Sequence, residues 1–174
     1  MTKVRTANLL GALAVAVSDR LEHQLKSHPN QTDSSAAALH LLGLFEGCSN
    51  SQLSAALKLS HPATVRLIDK LEADGLAASK PGTDRRSVAL FLTAAGRKRV
   101  RAILQERCVA LEAIVNALSP QQRTQLDGIA ETLLGSFTTS PVEGAHICRL
   151  CDEIACPPER CPVHAEAVRQ SATG

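Results

Sequence analysis

The densest chemistry in the chain lies near its C-terminus, where Cys148, Cys151, Cys156 and Cys161 place four of six cysteines within fourteen residues. Their spacing is C-x2-C-x4-C-x4-C, followed by Pro162 and flanked by His146 and His164. One CxxC pair can chelate from a single turn, and two further thiols complete the four soft ligands that zinc or an iron–sulfur cluster takes. The closing Cys-Pro matches the end of bacterial ferredoxin motifs and tips the balance narrowly toward an iron–sulfur cluster, although the internal spacing fits neither those motifs nor a paired zinc knuckle. Either histidine could replace a thiolate. Reversible disulfides are the competing chemistry and an inert tail the bland one. A thiol oxidoreductase using Cys148 and Cys151 would want a βαβ setting, which the flanking sequence lacks. A zinc-stapled module that docks a partner protein is a third class of function. Cys48 and Cys108 read as small apolar residues, and His23, His28 and His40, each alone on a helix, as non-ligands.

The compartment decides how these thiols are to be read. The apolar run in MTKVRTANLLGALAVAVSDR ends in Asp19 and Arg20 without a cleavage site of the usual kind. No stretch reaches the roughly eighteen apolar residues of a membrane span. The expected location is cytoplasmic, where clustered cysteines favour metal or redox chemistry over structural disulfides. Trp and Tyr are absent from the 174 residues, and Phe45, Phe91 and Phe137 are the three aromatic side chains. An aliphatic core of Leu, Val, Ile and Ala suits packed helices better than a sandwich of strands.

The periodicity then sets the elements. Leu10, Leu13, Val17, Leu21 and Leu25 line one face of a helix from Thr6 to Ser27, stopped by Pro29. Asp33 caps a second amphipathic helix carrying Ala37, Leu41, Leu44 and Phe45 and ending near Gly47. Asn50 is expected to cap a short helix to Leu57, and Ser60 another that takes Pro62 in its first turn and runs to Asp74 before Gly75. After Gly75 the period changes to two, in LAASK and SVALFL around Pro81 and Gly82, which is a hairpin. Thr93 caps a long helix from Ala94 to Leu118, Ser119-Pro120 starts another to about Phe137, and TTSPVEG reads as a linker. A helix pair followed by a two-stranded wing is a winged helix-turn-helix, a mainly α (α+β) fold whose second helix enters the DNA major groove.

LSAALKLSHPATVRLIDKLEADGLAASKPGTDRRSVALFLTAAGRK closely resembles the MarR family of bacterial transcription regulators, through LEADGL at 71–76, Asp84, Arg85 and Arg86, and Leu92, Thr93, Gly96 and Arg97. The resemblance covers the centre of the chain. It implies a two-fold dimer with interleaved first and last helices and two winged-helix lobes, and a cleft that in relatives often takes phenolic or other aromatic effectors, none of which this sequence selects. It implies a winged-helix domain over 1–138, with the DNA-binding lobe at 33–92 and dimerisation helices at 5–28 and 93–137, and an added cysteine-rich tail at 139–174. The tail's chemistry is not part of the resemblance.

The expected DNA site follows from residue types. Ser60, His61, Thr64 and Arg66 occupy the first turn and a half of the groove-entering helix, while Val65, Ile68 and Leu71 face inward. Arg86 at the wing tip is placed for the minor groove, as in the family, beside Arg85 and oriented by Asp84. Ser51 and Gln52 stand at a helix start whose backbone donors can meet phosphate. The formal net charge is only +2, but Lys80, Arg85, Arg86, Arg97, Lys98, Arg99 and Arg101 face Asp84 alone in one window, so the basicity is local. The last four of these read as a solvated helix face. No catalytic chemistry is expected, and the expected partners are double-stranded DNA and a second copy of the chain.

Overall fold

The computed structural model describes residues 2–25, 33–82 and 88–173. The expected wing-tip residues Asp84, Arg85 and Arg86 lie outside these, as do His28 and Pro29. The elements are α1 (Lys3–Leu25), α2 (Asp33–Leu44), α3 (Asn50–Leu57), α4 (His61–Ala73), β1 (Ala77–Pro81), β2 (Val88–Leu92), α5 (Ala94–Val115), α6 (Pro120–Phe137), α7 (Pro141–Ile147) and α8 (Pro162–Thr173), with a 3-10 turn at Pro158–Arg160. The architecture is the expected winged helix-turn-helix with long flanking helices.

The core of the lobe gathers around α2. Ser35 through Leu42 are buried without interruption, so this helix is not amphipathic as its sequence suggested. It is enclosed by α3, α5 and β2, and an element with neighbours on every side needs small or apolar residues all round. Phe45, expected on its apolar face, lies beyond the helix end and is half exposed. Leu53 and Leu57 of α3, Ile68 and Leu71 of α4, Leu90 and Leu92 of β2 and Ile103 of α5 close the same cluster.

β1 and β2 pair antiparallel, Ala77 opposite Leu92 and Pro81 opposite Val88. Alternation buries Leu90 and Leu92 and leaves Val88 exposed at the outer end. A third strand-like contact joins the wing: Leu90 N donates to Cys48 O at 2.9 Å and Gly47 N to Leu90 O at 2.8 Å. Gly47, at φ +83, supplies the left-handed turn that brings Cys48 there. The hairpin is therefore rooted on both sides.

Side-chain caps fix five of the helix starts. Ser60, Thr93 and Ser119 cap as expected. The α3 cap is Ser49 rather than Asn50: Ser49 Oγ accepts from Gln52 N while Gln52 Oε1 accepts from Ser49 N, a reciprocal capping box. The stretch read as a linker instead runs into the first turn of α7, capped by Ser140 Oγ accepting from Glu143 N. The long helices remain largely uncovered: Leu13 of α1 and Phe137 of α6 are about half exposed, and α6 buries no side chain within the protomer.

Candidate nucleic-acid interface and cysteine module

The α3–α4 pair is set by its turn. Lys58 ends α3 at φ +54, with Lys58 N donating to Ala55 O and Leu59 N to Ser54 O, the paired bonds of a left-handed helix stop. Glycine usually fills this position because a Cβ costs about 1 kcal/mol there. Ser54 Oγ donates to Leu59 O at 2.7 Å and closes the turn from inside. Ser60 then starts α4.

On α4 the inward stripe is Thr64, Ile68 and Leu71, all buried. Thr64, expected among the base readers, is fully buried, and its Oγ1 donates back to Ser60 O at 3.3 Å. The four- and three-residue steps from Leu71 through Ile68 lead to Thr64, and Val65 is correspondingly only half buried. His61 and Arg66 are exposed, as is Ser60, whose hydroxyl accepts from Ala63 N. Ser51 and Gln52 are exposed at the start of α3, but the capping box already engages two backbone donors there and the Gln52 carbonyl oxygen. The exposed face of α4 that can meet a duplex thus runs through His61, Val65, Arg66 and Asp69.

The wing is tied to its surroundings. Ser79 Oγ donates to Glu72 Oε1 at 2.6 Å, joining β1 to the end of α4. The Lys80 ammonium sits 4.8 Å over the Phe91 ring, a cation–π contact of about 0.5–1 kcal/mol at an exposed site. Arg97, read as part of a solvated face, donates instead to Glu46 Oε1 at 3.1 Å and Leu92 O at 3.0 Å, clamping the wing's base. Lys98 and Arg101 are exposed.

The four tail cysteines are brought together, mostly in pairs. The Cys148 thiol neighbours those of Cys151 and Cys161, and the Cys156 thiol that of Cys161. The neighbouring Cys151 thiol pushes Cys148 up, and Cys148 holds Cys151 down at about 7, where Arg107 and Arg149 add positive charge. Burial and the Cys161 thiol raise Cys156 to about 11. Cys161 is buried at the start of α8, where His164 N donates to Cys161 Sγ at 3.4 Å, so sulfur serves as the helix cap ahead of Pro162. No group of three or more His, Cys, Asp or Glu among the described residues is placed to hold a metal ion as it stands. A shared ion would need the sulfur pairs drawn onto one centre. Cys148, Cys151, Cys156 and Cys161 also line a cavity of about 280 Å³ with apolar side chains of α7 and α8.

His146 has a different use from the one its position suggested. Its Nδ1 lies 2.9 Å from Ala56 O, in the last turn of α3, and since a carbonyl only accepts, Nδ1 carries the hydrogen. Its Nε2 lies 3.5 Å from Arg149 Nη1, so both ring nitrogens are engaged. His164 is exposed and borders the cavity. Glu143 of α7 pairs with Lys58 at 2.7 Å, and that ammonium holds its carboxyl below the usual range. Leu150 is buried in the lobe's own core. Sequence reasoning missed these three anchors. Cys48 and Cys108 are both half-buried and have their thiol pKa raised. Burial raises the first; a hydrogen bond to Glu112 at 3.5 Å raises the second.

The helix pair, its tight turn and the rooted hairpin define a winged helix-turn-helix protein. Residues 32–87 match the MarR family model. The fold agrees with three solved structures. YusO from Bacillus subtilis is 20% identical with a TM-score of 0.65, the match covering 76% of this chain and 97% of that one. A MepR mutant from S. aureus is 20% identical with a TM-score of 0.69, covering 78% and 98%. FabT from Streptococcus pneumoniae, solved in complex with DNA, is 20% identical with a TM-score of 0.65, covering 76% and 94%. No curated protein sequence gives a significant match. No helix among the described residues is long and apolar enough to cross a membrane.

Proposed function

We infer that the protein is a sequence-specific DNA-binding transcription regulator that works as a homodimer and acts as a repressor. The observation that carries this reading is the exposed α4 face, with His61 and Arg66 presented beside a wing rooted on two sides. The MarR family match and the likeness to a structure solved with DNA support it. Exposed apolar surface on α1 and α6 is what a second copy would cover. Arg66 would contact base edges or phosphate, and Arg86 the minor groove, with Asp84 and Arg85 beside it. The regulator is cytoplasmic in this reading, and its chemistry is binding rather than catalysis.

The finer part of the proposal concerns Cys148, Cys151, Cys156 and Cys161, which bind an iron–sulfur cluster or zinc and make the regulator responsive to metal or redox state. Their soft donor set and their shared lining of one cavity, with a backbone N–H already aimed at Cys161 Sγ, support the assignment.

Two experiments test these parts separately. Selection from random duplex DNA should enrich a near-palindrome with half-sites about 10 base pairs apart, and failure to enrich any duplex would remove the DNA reading. Anaerobic purification followed by metal analysis and a visible spectrum should give iron with sulfide and a brown colour, or stoichiometric zinc without colour. Neither metal at stoichiometry, in wild type as in a variant with all four cysteines changed to Ser, removes the metal reading.

A further inference from the structure

We propose that α7 is a coupling element: ligation at the four tail cysteines fixes the turn between α3 and α4 and so sets the pose of the DNA-facing helix. This rests on the reading of those cysteines as a metal site.

The connection is short and continuous. Cys148 directly follows α7 and closes its last turn, its N–H donating to Gly144 O at 3.0 Å. Four residues before it, Gly144 lets α8 approach so closely that a Cβ there would meet Ala167 and Val163 at 3.3 Å. Cys161 stands at the start of α8. Drawing Cys148 and Cys161 onto one ion therefore pins the end of α7 to the start of α8, across a close helix contact that leaves little room for a side chain at residue 144.

The other face of α7 holds the helix-turn-helix at its joint. The α3 stop satisfies the Ser54 and Ala55 carbonyls from within the chain. The next carbonyl, Ala56 O, receives His146 Nδ1 at 2.9 Å, because the last carbonyls of a helix have no partner of their own. Lys58, the residue held left-handed, receives Glu143 at 2.7 Å. Glu143 and His146 lie three residues apart and so share the face turned toward α3. Two bonds from one helix thus hold the last turn of α3 and the left-handed Lys58 from which the chain turns toward α4. A ligand that favours one arrangement of α7 must then shift the equilibrium of that turn, and DNA binding must in return alter affinity at the cysteines.

The test uses the full-length protein, purified anaerobically, stripped by chelator under reductant, and reloaded with zinc(II) alone or with ferrous iron and sulfide. Hydrogen–deuterium exchange is read across residues 50–60. Loading should slow exchange there about fivefold, the scale of one net hydrogen bond, and should change affinity for the selected duplex. The double variant Glu143→Gln/His146→Ala should keep the metal stoichiometry and lose both responses. Lys58→Gln, which removes only the ion pair at an exposed end, should lose part of the slowing and serves where the double variant does not fold. Wild type that takes up metal at stoichiometry with unchanged exchange in 50–60 would overturn the coupling and leave the metal site standing. Wild type that takes up neither metal would overturn both. Variants that retain the full slowing would overturn the assigned route through α7.

Discussion

Gly96 sits in the first turn of α5, where a Cβ would lie 2.0 Å from the backbone oxygen of Leu76 and 3.0 Å from Leu92 Cγ. Gly96→Ala must therefore separate α5 from the start of β1 until that contact reaches at least 3.4 Å. The obstacle is backbone, and the same oxygen accepts from Thr93 N at 3.1 Å, while Thr93 Oγ1 donates to Gly75 O at 2.8 Å and accepts from Gly96 N at 3.0 Å. Alanine gains about 1 kcal/mol in helix propensity. Against this stand overpacking at about 1–3 kcal/mol, the Thr93 cap at about 1 kcal/mol and one backbone bond at about 1 kcal/mol. The net expectation is a loss of about 2–4 kcal/mol. With a urea slope of about 1–3 kcal/mol per molar, the unfolding midpoint should fall by about 1 M or more at fixed protein concentration. Gly43→Ala, where nothing lies within 4 Å, should instead hold or raise the midpoint. A Gly96→Ala protein as stable as wild type would refute the close packing of the wing against α5.

Thr64→Val should leave the preferred DNA sequence unchanged in a repeat of the duplex selection and cost at most about 1 kcal/mol in urea, since Ser60 O keeps the Thr64 N–H at 3.0 Å; a changed sequence preference would restore the base-reading role. Leu150→Ala should destabilise the whole lobe by about 2–4 kcal/mol in the same assay, because its side chain belongs to the lobe's core. The buried His40 imidazole has its pKa lowered by burial, with only partial opposition from Asp152, and its Nδ1 has no hydrogen-bond partner among the described residues. With the folded value below the unfolded one, the unfolded chain binds the extra proton, so its contribution is present above about pH 6.5 and lost as pH falls below it; the urea midpoint should drop from pH 7 to 5, and less steeply in His40→Leu. Arg86→Ala should weaken binding to the selected duplex by about 1–3 kcal/mol, measured by titration at fixed salt, whereas loss of Lys98 should mainly flatten the salt dependence.

The order of elements was legible because each boundary carries local chemistry: Ser60-His-Pro, Thr93 before Ala94, Ser119-Pro120, and the change of period after Gly75. Misreadings fell where tertiary neighbours decide. Asn50 and Ser49 are both acceptable caps, and Gln52 settles the choice by reaching back to Ser49. Thr64 is polar in a first turn but completes the Ile68–Leu71 stripe, and α2 shows no apolar face because it has no solvent side. The α7 anchors were illegible for another reason: His146 meets a carbonyl ninety residues away, and no local pattern encodes that. The cysteines announced a cluster through spacing alone, while their pairing depends on how closely α7 and α8 approach at Gly144.

The bridge between Cys48 and Leu90 stiffens the hairpin's root in a way a free two-stranded ribbon would lack. Held by β1 on one edge and by the α2–α3 connection on the other, β2 resists bending at its inner end. Force applied to the free end would be delivered into the lobe's centre through Leu90 and Leu92 instead of being absorbed as flexion, so the whole lobe would tilt with it as one piece.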